Sequence, residues 1–550
     1  MIIDGRTITE PLRARVCVVG AGPAGLTVAD QLQDRNISVV ILERGGVEPP
    51  APNSPELMGE VGEGLPYFRL ADARSMGIGG TSHLWPEEDG LRSRPLDPID
   101  FEARKGVPLS GWPFARDELD SFYEAAQRIC GLPARTYDVE RWARAQTQPI
   151  DLGEGGFDTA MFKFGTDIGL FRSRRSTLER SAGVSVVINS SALGLVGEPS
   201  DPAQVRRIRV ATPAGNEFIV EADIFVLAGG GIENPRILLL SRDPYELGLG
   251  NQHDLVGRFF QEHLRIHSGT LIPTSSALMR GLALYQRHIV DGYKTMGVLV
   301  PNADLVRRHD LLNSAVYLRP SSELRASHIS RSIARLRDAG KDRWGPGDDP
   351  ILPHLSHLAR EPLTAFRTAV RTLRGIHGPP VVQLSLQTEQ SPNPESKVSL
   401  GSARDRYGLP VANLEWRLND IDMWSARRVQ ELLGQAVEMA GIGHVEALFG
   451  SEQPPVPVRG FWHHIGTTRM SRSPRSGVVD ANCRIHGTNN VFVAGSSVFP
   501  TGGYANPTVT IVALAMRLSR HLVRIIETPV MGTGISEAEQ PDTPEADPLP

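Results

Sequence analysis

The chain has 550 residues, of which 40% are hydrophobic and 22% charged, and its formal net charge is −5. These are ordinary globular values, so they exclude a disordered, collagen-like or coiled-coil chain, and the charge balance excludes a nucleic-acid binder acting through its net charge. The three cysteines show no CxxC spacing, which excludes a disulfide framework, a zinc ribbon and covalently attached haem. We predict no metal site.

The N-terminal stretch MIIDGRTITEPLRAR has no apolar core and no small-residue cleavage site. No window along the chain reaches the ~18 uncharged apolar residues that a membrane span needs. We therefore expect a cytoplasmic protein without a membrane span.

The first predicted element is a buried strand, RVCVVG, that runs into the glycine-rich turn GAGPAG and a helix. A second apolar run, SVVIL, ends at Glu43, so strand, helix and acid lie at the spacing of a dinucleotide-binding unit. Gly20 permits the tight turn, Gly22 lets the backbone approach a pyrophosphate, and Gly25 allows close helix packing. Glu43 would accept hydrogen bonds from ribose hydroxyls. A glycine-rich turn without a ligand is the simpler alternative, and the motif alone does not separate FAD from NAD.

Further elements follow in chain order. Residues 75–85, SMGIGGTSHLW, form a glycine-rich loop that can wrap a cofactor, and an amphipathic helix is predicted to start near Asp117. A second junction of strand, glycines and helix, ADIFVLAGGG followed by IENPRILLL, indicates that the nucleotide-binding domain is discontinuous.

Residues 319–374 are rich in arginine and include an amphipathic helix, LTAFRTAVRTLR. Its apolar face carries Leu363, Phe366, Val370 and Leu373. We expect this stripe to pack on the second domain, and the alternative is a docking surface for a partner or an anionic membrane.

Several separated stretches together resemble one family. GAGPAGL, GGTSHLW, SGWPF, AGGGIENPRILLLS, VGRFFQEHL, EQSPNPESKVSL and the C-terminal FWHHIGTTRM and TGGYANPT resemble the glucose-methanol-choline (GMC) oxidoreductases. These are FAD-dependent enzymes that oxidise alcohol groups. The closest likeness is to the sugar-oxidising branch, with pyranose oxidases, glycoside oxidases and gluconate or fructose dehydrogenases.

The resemblance implies an α/β fold, with a discontinuous Rossmann-like FAD-binding domain and a substrate domain built on an antiparallel sheet. We assign residues 1–100, 184–264 and 451–527 to the FAD-binding domain. Residues 101–183 and 265–450 form the substrate-binding domain, with a helical insertion near 319–378. The acidic, proline-rich residues 528–550 are predicted to be a disordered tail.

By the same resemblance, the catalytic pair is His463, three residues before Gly-Thr, and Asn506. Removing a hydride from a carbinol carbon requires that the hydroxyl proton also leaves, and a neutral imidazole is a natural acceptor. An amide beside it can position the substrate oxygen. His464 is the alternative base, and Asn506 could instead cap a helix starting at Pro507.

The cofactor is predicted to be FAD, held non-covalently. Covalent members of the family attach flavin through a His just before the Trp of the glycine-rich loop, where this chain has Leu84, with His83 displaced by one residue. The residues predicted to contact the cofactor are Gly20, Gly22, Pro23, Ala24, Gly25, Glu43, Arg44, Gly80, Thr81, Ser82, His83, Leu84, Trp85, Ala228, Gly229, Gly495, Ser496, Asn506, Pro507 and Thr508.

The predicted reaction is oxidation of a hydroxyl group of a sugar, glycoside or related polyol, with His464, Gln383 and Gln387 as candidate substrate contacts. Oxygen, a quinone or a redox protein would accept the electrons, and a homo-oligomer is possible. We expect no nucleic-acid partner. The alternatives are the flavoprotein subunit of a membrane-linked polyol dehydrogenase and a non-redox FAD-containing lyase of the same fold.

Overall fold

A computed structural model gives the fold. It describes residues 1–50, 54, 57–85, 90–133, 136–144, 147–165, 181, 183–274, 276–322, 328–337, 351–360, 362–374, 378–447 and 458–528. Most of the predicted acidic tail, residues 529–550, lies outside this part of the chain.

The regular elements alternate between strands and helices along the chain. The strands are β1 (Ile2–Asp4), β2 (Leu12–Val19), β3 (Val39–Leu42), β4 (Gly59–Val61), β5 (Arg92–Ser93), β6 (Phe157–Phe164), β7 (Val184–Ile188), β8 (Ser191–Glu198), β9 (Asp201–Ala211), β10 (Glu217–Leu227), β11 (Leu264–Pro273), β12 (His288–Val290), β13 (Tyr293–Pro301), β14 (Ser314–Ser322), β15 (Pro380–Thr388), β16 (Lys397–Arg404), β17 (Pro410–Glu415), β18 (Gly443–Ala447) and β19 (Val491–Val493). The helices are α1 (Pro23–Gln33), α2 (Asp120–Ile129), α3 (Val139–Trp142), α4 (Gly230–Leu240), α5 (Ser276–Gly281), α6 (Ala303–Arg308), α7 (His328–Arg337), α8 (Ile351–Arg360), α9 (Pro362–Leu373), α10 (Asp420–Met439) and α11 (Thr508–Glu527).

The first sheet has the strand order β1-β7-β3-β2-β10-β9-β8, and β19 pairs with β10. Its central strands run parallel, while β9 and β8 are antiparallel additions. The apolar, largely β-branched halves of β2 and β3 are buried, as expected for parallel strands covered on both faces. Helices α1 and α11 pack against each other beside this sheet.

The second sheet is antiparallel, in the order β18-β11-β15-β14-β13-β6-β5, with β12 on β13. Its core includes residues of α10, the long helix packed beside β18 and β11. A third, small sheet joins β16, β17 and β4. The two main sheets confirm the predicted α/β fold class with an antiparallel second sheet.

Two strands of residues 1–100, a segment that the sequence assigns to the FAD-binding domain, do not belong to the first sheet. Within residues 1–100, β5 adds to the second sheet and β4 to the third. The helix expected to start near Asp117 begins at Asp120, after a 3-10 turn, and its Tyr123 hydroxyl meets Oγ1 of Thr510 at 3.0 Å. Helix α2 therefore packs with α11 beside the first sheet, because its apolar face shares that core.

The helical insertion contains α7, α8 and α9, and α7 packs against the other two. The expected packing of the apolar stripe on the second domain is wrong: Leu363, Phe366 and Leu373 are 72%, 68% and 87% exposed. Helix α9 buries Thr368 instead and leaves Ala365 and Ala369 half-buried, so a side of small residues faces its neighbours. Three basic residues of the arginine-rich stretch 319–374, Arg325, Lys341 and Arg343, lie outside the described residues.

No helix within the described ranges is long and apolar enough to cross a membrane. The same part of the chain holds no group of three or more His, Cys, Asp or Glu side chains arranged to bind a metal ion.

Candidate active site

A cavity of about 970 Å³ lies between the carboxyl ends of the parallel strands and one face of the second sheet. We call the part lined by the loops after β2, β3 and β10 the nucleotide half. The part lined by the second sheet and by residues 461–464 is the sheet half. Ligands of open α/β sheets bind at the carboxyl ends of the strands, so this position is the expected one.

The turn after β2 is shaped for close approach of a phosphate. Gly20 has φ +106°, and a Cβ there would lie 2.7 Å from the carbonyl oxygen of Ala228. A Cβ on Gly25 would lie 2.0 Å from the carbonyl oxygen of Gly20, whereas one on Gly22 would meet no atom within 4 Å. Helix α1 begins at Pro23 with Gly22 as N-cap and no side-chain cap, so the first-turn N–H groups are left for a ligand.

Glu43 closes the end of β3 against this turn. Its carboxylate accepts hydrogen bonds from the backbone N–H groups of Ala21 (2.9 Å), Gly45 (2.8 Å) and Gly77 (2.8 Å). Burial raises the pKa of Glu43, and the three N–H donors oppose that shift. A carboxylate has about four lone-pair sites, so one remains for a ribose hydroxyl.

Charged side chains form a cluster beside Glu43 that the sequence did not predict. Arg236 binds Asp405 at 2.6 Å and Glu233 at 3.2 Å. Arg44 lies 3.6 Å from Asp405 and 3.7 Å from Glu233, and Arg74 also contacts Glu233. Burial opposes ionisation of Glu233, but the guanidinium groups lower its pKa to about 2. The cluster keeps one net positive charge.

These residues fit FAD. Nε of Arg44 is buried and has no hydrogen-bond partner among the described residues, although it belongs to a side chain on the cavity wall. The open space above Gly22, the uncapped N-terminus of α1 and the net positive cluster are what a buried pyrophosphate requires.

Most of the predicted cofactor contacts line this cavity. They are Gly20, Gly22, Pro23, Ala24, Glu43, Arg44, Gly80, Thr81, Ser82, Leu84, Trp85, Ala228, Gly229, Gly495, Ser496, Asn506, Pro507 and Thr508. Gly25 and His83 do not line it: Gly25 packs α1 on the turn, and Nε2 of His83 lies 2.9 Å from the carbonyl oxygen of Ile78.

His463 and Asn506 are brought together in the sheet half. Nδ2 of Asn506 lies 3.2 Å from Nε2 of His463, and Oδ1 of Asn506 accepts a hydrogen bond from Nε of Arg92 at 3.2 Å. Because Arg92 can only donate, it fixes the amide with its NH2 group towards His463. The Asn506 side chain does not cap α11, which begins at Thr508 with Pro507 as N-cap.

A second histidine, His263, determines the tautomer of His463. The two Nδ1 atoms are 2.7 Å apart, and Nε2 of His263 lies 3.3 Å from the carbonyl oxygen of Gly502. A carbonyl only accepts, so Nε2 of His263 carries the proton and its Nδ1 accepts one from Nδ1–H of His463. Nε2 of His463 is therefore unprotonated, and its lone pair accepts the hydrogen bond from the amide of Asn506.

His463 is held neutral. Burial lowers its pKa well below the ordinary value, and the neighbouring charges of His263, Arg92 and His464 lower it further. An imidazole in this environment is a base with an available lone pair over the physiological pH range.

Glu262 holds the segment that carries the two histidines. Its carboxylate accepts hydrogen bonds from the N–H groups of Phe461 and His463, both at 3.0 Å, and from the hydroxyl of Tyr67. Burial raises its pKa to about 7. His464 also lines the cavity, but its Nε2 lies 3.0 Å from the Tyr67 hydroxyl and is therefore already hydrogen-bonded within the protein.

Of the predicted substrate contacts on β15, Gln387 lines the cavity and Gln383 does not. Oε1 of Gln387 accepts from Tyr317 (3.2 Å) and Arg92 (3.3 Å), and its amide donates to the carbonyl of Tyr504 at 2.6 Å. Gln387 thus organises the wall of the sheet half, with one N–H left for a substrate.

Sequence reasoning missed His263, Glu262, Arg92 and Tyr317. The stretch VGRFFQEHL contains the first two and carries part of the family resemblance, so it offered a signal. Arg92 and Tyr317 had none, because neither belongs to a recognisable motif.

Comparisons with known proteins give matches along most of the chain. The family model for FAD dependent oxidoreductases matches residues 15–358, and the C-terminal model for GMC oxidoreductases matches residues 392–515. The chain is 24% identical to a 2-methyl-1,2-propanediol dehydrogenase of Mycolicibacterium austroafricanum, over 92% of this chain and 95% of that one. It is 23% identical to the fructose dehydrogenase large subunit of Gluconobacter japonicus, over 92% and 97%. The fold is similar to that of a fungal aryl-alcohol oxidase, with a TM-score of 0.53, 15% identity and coverage of 95% and 100%.

Proposed function

The chain belongs to the FAD-dependent oxidoreductases and carries a GMC oxidoreductase C-terminal domain, and on this basis we propose that it oxidises a hydroxyl group of a sugar, glycoside or related polyol to a carbonyl. The observation that carries the proposal is the neutral His463, with Nε2 unprotonated beside the amide of Asn506 at the edge of the cofactor cavity.

His463 is the general base. FAD, when bound, would supply a hydride acceptor for the carbinol carbon, and Nε2 of His463 takes the hydroxyl proton. The amide of Asn506 donates to the substrate oxygen as its negative charge develops, and so selects which C–H bond is presented. The hydrogen bonds of His463 to His263 and of Asn506 to Arg92 hold both groups in these roles before the substrate arrives.

Sugars and polyols are supported by the names of relatives that align over nearly the whole chain, a fructose dehydrogenase large subunit and a 2-methyl-1,2-propanediol dehydrogenase. Oxygen, a quinone or a redox protein takes the electrons onward. Re-oxidation of the substrate-reduced enzyme by air, by a soluble quinone or by neither separates these acceptors.

FAD is held without a covalent bond. The ring of His83 is directed to a backbone carbonyl and lies off the cavity wall, which Leu84 occupies. Acid precipitation should leave a colourless pellet and a yellow supernatant, and a yellow pellet would refute this assignment.

The test of the reaction is anaerobic stopped-flow measurement of flavin absorbance with monosaccharides, glycosides and simple polyols. Bleaching by one of them should slow by about 10²- to 10⁴-fold in His463→Ala, the usual contribution of a general base. His253→Ala, an exposed histidine away from the cavity, is the matched control and should react like wild type. Substrate turnover without bleaching would contradict the proposal and indicate a non-redox lyase.

A further inference from the structure

The sheet half of the cavity is strongly basic. The arginines that line it are Arg92, Arg265, Arg287 and Arg319. Three carboxylates line the cavity within the described residues, Glu43, Glu233 and Asp405, and all of them belong to the nucleotide half. Among the described residues, the wall of the sheet half therefore places no carboxylate beside these arginines.

Two of these arginines lack an anionic partner in the described part of the chain. The guanidinium of Arg265 lies 5.5 Å from the ring centre of Phe461. Among the described residues, no carboxylate or hydrogen-bond acceptor contacts the guanidinium of Arg265 or of Arg319. Arg92 donates only to the neutral side chains of Asn506 and Gln387. Burial lowers the pKa of Arg265, and the nearby charges of Arg319 and Arg92 lower it further.

The strand register places this charge beside the reacting groups. Arg265 on β11 lies opposite Gln387, and Arg319 on β14 lies two residues beyond Tyr317. The ring of Phe461 under Arg265 stacks on His463, with centres 5.7 Å apart and planes within 12°. An anion bound by Arg265 would thus be separated from His463 by the ring of Phe461.

We propose that the physiological substrate carries, besides the hydroxyl that is oxidised, an anionic group, a carboxylate or a phosphate, bound by Arg265 and Arg319. This inference rests on the proposed function and narrows its substrate class to acidic or phosphorylated hydroxy compounds.

Physical chemistry favours this class. Arg265 and Arg319 are exposed to the open space of the cavity, where a ligand can reach them. Like charges that lie near one another repel, and a bound anion removes that repulsion by supplying the counter-charge. The planar fork of arginine matches the two oxygens of a carboxylate or phosphate, and charge-assisted hydrogen bonds are about twice as strong as neutral ones. The same field disfavours cationic amino sugars.

The test compares substrates that share a ring and differ in charge. Flavin reduction is measured anaerobically with glucose, glucosamine, glucuronate and glucose 6-phosphate, the last two separating a carboxylate from a phosphate. We expect kcat/KM to be highest for one of the anionic sugars and lowest for glucosamine, and the preference to weaken at high salt.

Variants assign the preference to residues. Arg265→Gln and Arg319→Gln should each lower kcat/KM for the favoured anion by about 10-fold, chiefly through KM, and should lower kcat/KM for glucose, which has no anionic group, by clearly less. In Arg319→Glu, kcat/KM should become higher for glucosamine than for the favoured anionic sugar. Arg206→Gln, an exposed arginine on β9, is the matched control and should change nothing.

Binding of inorganic phosphate and of acetate to the holoenzyme, followed by titration calorimetry, gives a readout that needs no turnover. Weaker binding of one of them to both glutamine variants supports the anion site, even if none of the sugars reduces the flavin and the proposed oxidation fails. The anion site is overturned if neither ion binds, or if the variants slow glucose and the anionic sugars equally, which would assign the arginines to the flavin instead.

Discussion

The hydrogen-bond chain through His263 explains how a buried histidine becomes a useful base. An isolated imidazole has two nearly equivalent tautomers, and only one of them leaves Nε2 of His463 unprotonated. The bond from Nδ1 of His463 to Nδ1 of His263, 2.7 Å long, selects that tautomer, because the other face of His263 is committed to the carbonyl of Gly502. His263 is thus a positioning residue.

Replacing His263 separates this role from simple packing. In His263→Asn the amide oxygen can accept the proton of His463, so kcat should stay close to wild type. In His263→Leu the acceptor is lost, and we expect kcat to fall by about 10- to 100-fold, part of the usual contribution of a positioned general base. Flavin reduction rates as a function of pH provide the check. Equal loss in both variants would assign His263 to packing alone.

The pH dependence of stability tests the buried neutral histidines. Burial lowers the pKa of His464 to about 3, so below pH 6.5 the unfolded chain binds a proton that the folded chain does not. Above pH 6.5 this group costs the folded state nothing. As the pH falls from 6.5, the free energy of unfolding decreases, and the decrease levels off once the pH is below the folded pKa of about 3. Relative to wild type, His464→Gln should therefore gain up to about 1.4 kcal/mol per pH unit below 6.5. Denaturant unfolding at several pH values measures the difference, and parallel curves would contradict it.

At the scale of single elements, the turn between β2 and α1 separates folding from cofactor binding. A Cβ on Gly22 meets no protein atom within 4 Å, whereas a Cβ on Gly25 would clash with the Gly20 carbonyl at 2.0 Å. Gly22→Ala should therefore fold normally and lose flavin, because the methyl group occupies the pyrophosphate position. Gly25→Ala should be strongly destabilised. Circular dichroism and bound-flavin absorbance distinguish the two, and full flavin content in Gly22→Ala would be contrary evidence.

The exposed face of α9 predicts an unusual tolerance to polar substitution. Phe366 is 68% exposed, so Phe366→Ser should change the free energy of unfolding by less than about 0.5 kcal/mol, the ordinary range for surface positions. Leu384 on β15 is fully buried, and Leu384→Ala should cost about 2–5 kcal/mol. Thermal unfolding compares the two. A large loss in Phe366→Ser would mean that this face is covered in solution.

At the scale of the whole molecule, the sequence predicts local structure, but it does not predict contacts between residues that are far apart in the chain. The β2–α1–β3 unit with its glycines and Glu43 follows from residue spacing, and the spacing to Gly466 selected the base. The pairing of His263 with His463 joins residues 200 positions apart, and the arginine cluster around Glu233 joins four segments. No local pattern encodes such contacts. The orientation of α9 was not predicted for another reason. An amphipathic pattern shows that one face of a helix is apolar, but it does not show whether a neighbouring element covers that face.

Because these distant segments meet around one cavity, the cofactor should stabilise the molecule as a unit. Gly22, the 3-10 turn Gly80–Leu84, Gly229 and Ser496 all line the nucleotide half. A ligand at 100 times its dissociation constant adds about 2.7 kcal/mol to the folded state. Removing FAD should therefore lower Tm. Amide hydrogen exchange should rise most in α1 and Gly80–Leu84, because these two segments line the cavity that the cofactor would fill. Calorimetry and mass-resolved exchange of the holo and deflavinated protein measure both effects. An unchanged Tm would mean that the cavity is preorganised without its ligand and that the walls are held by the two sheets alone.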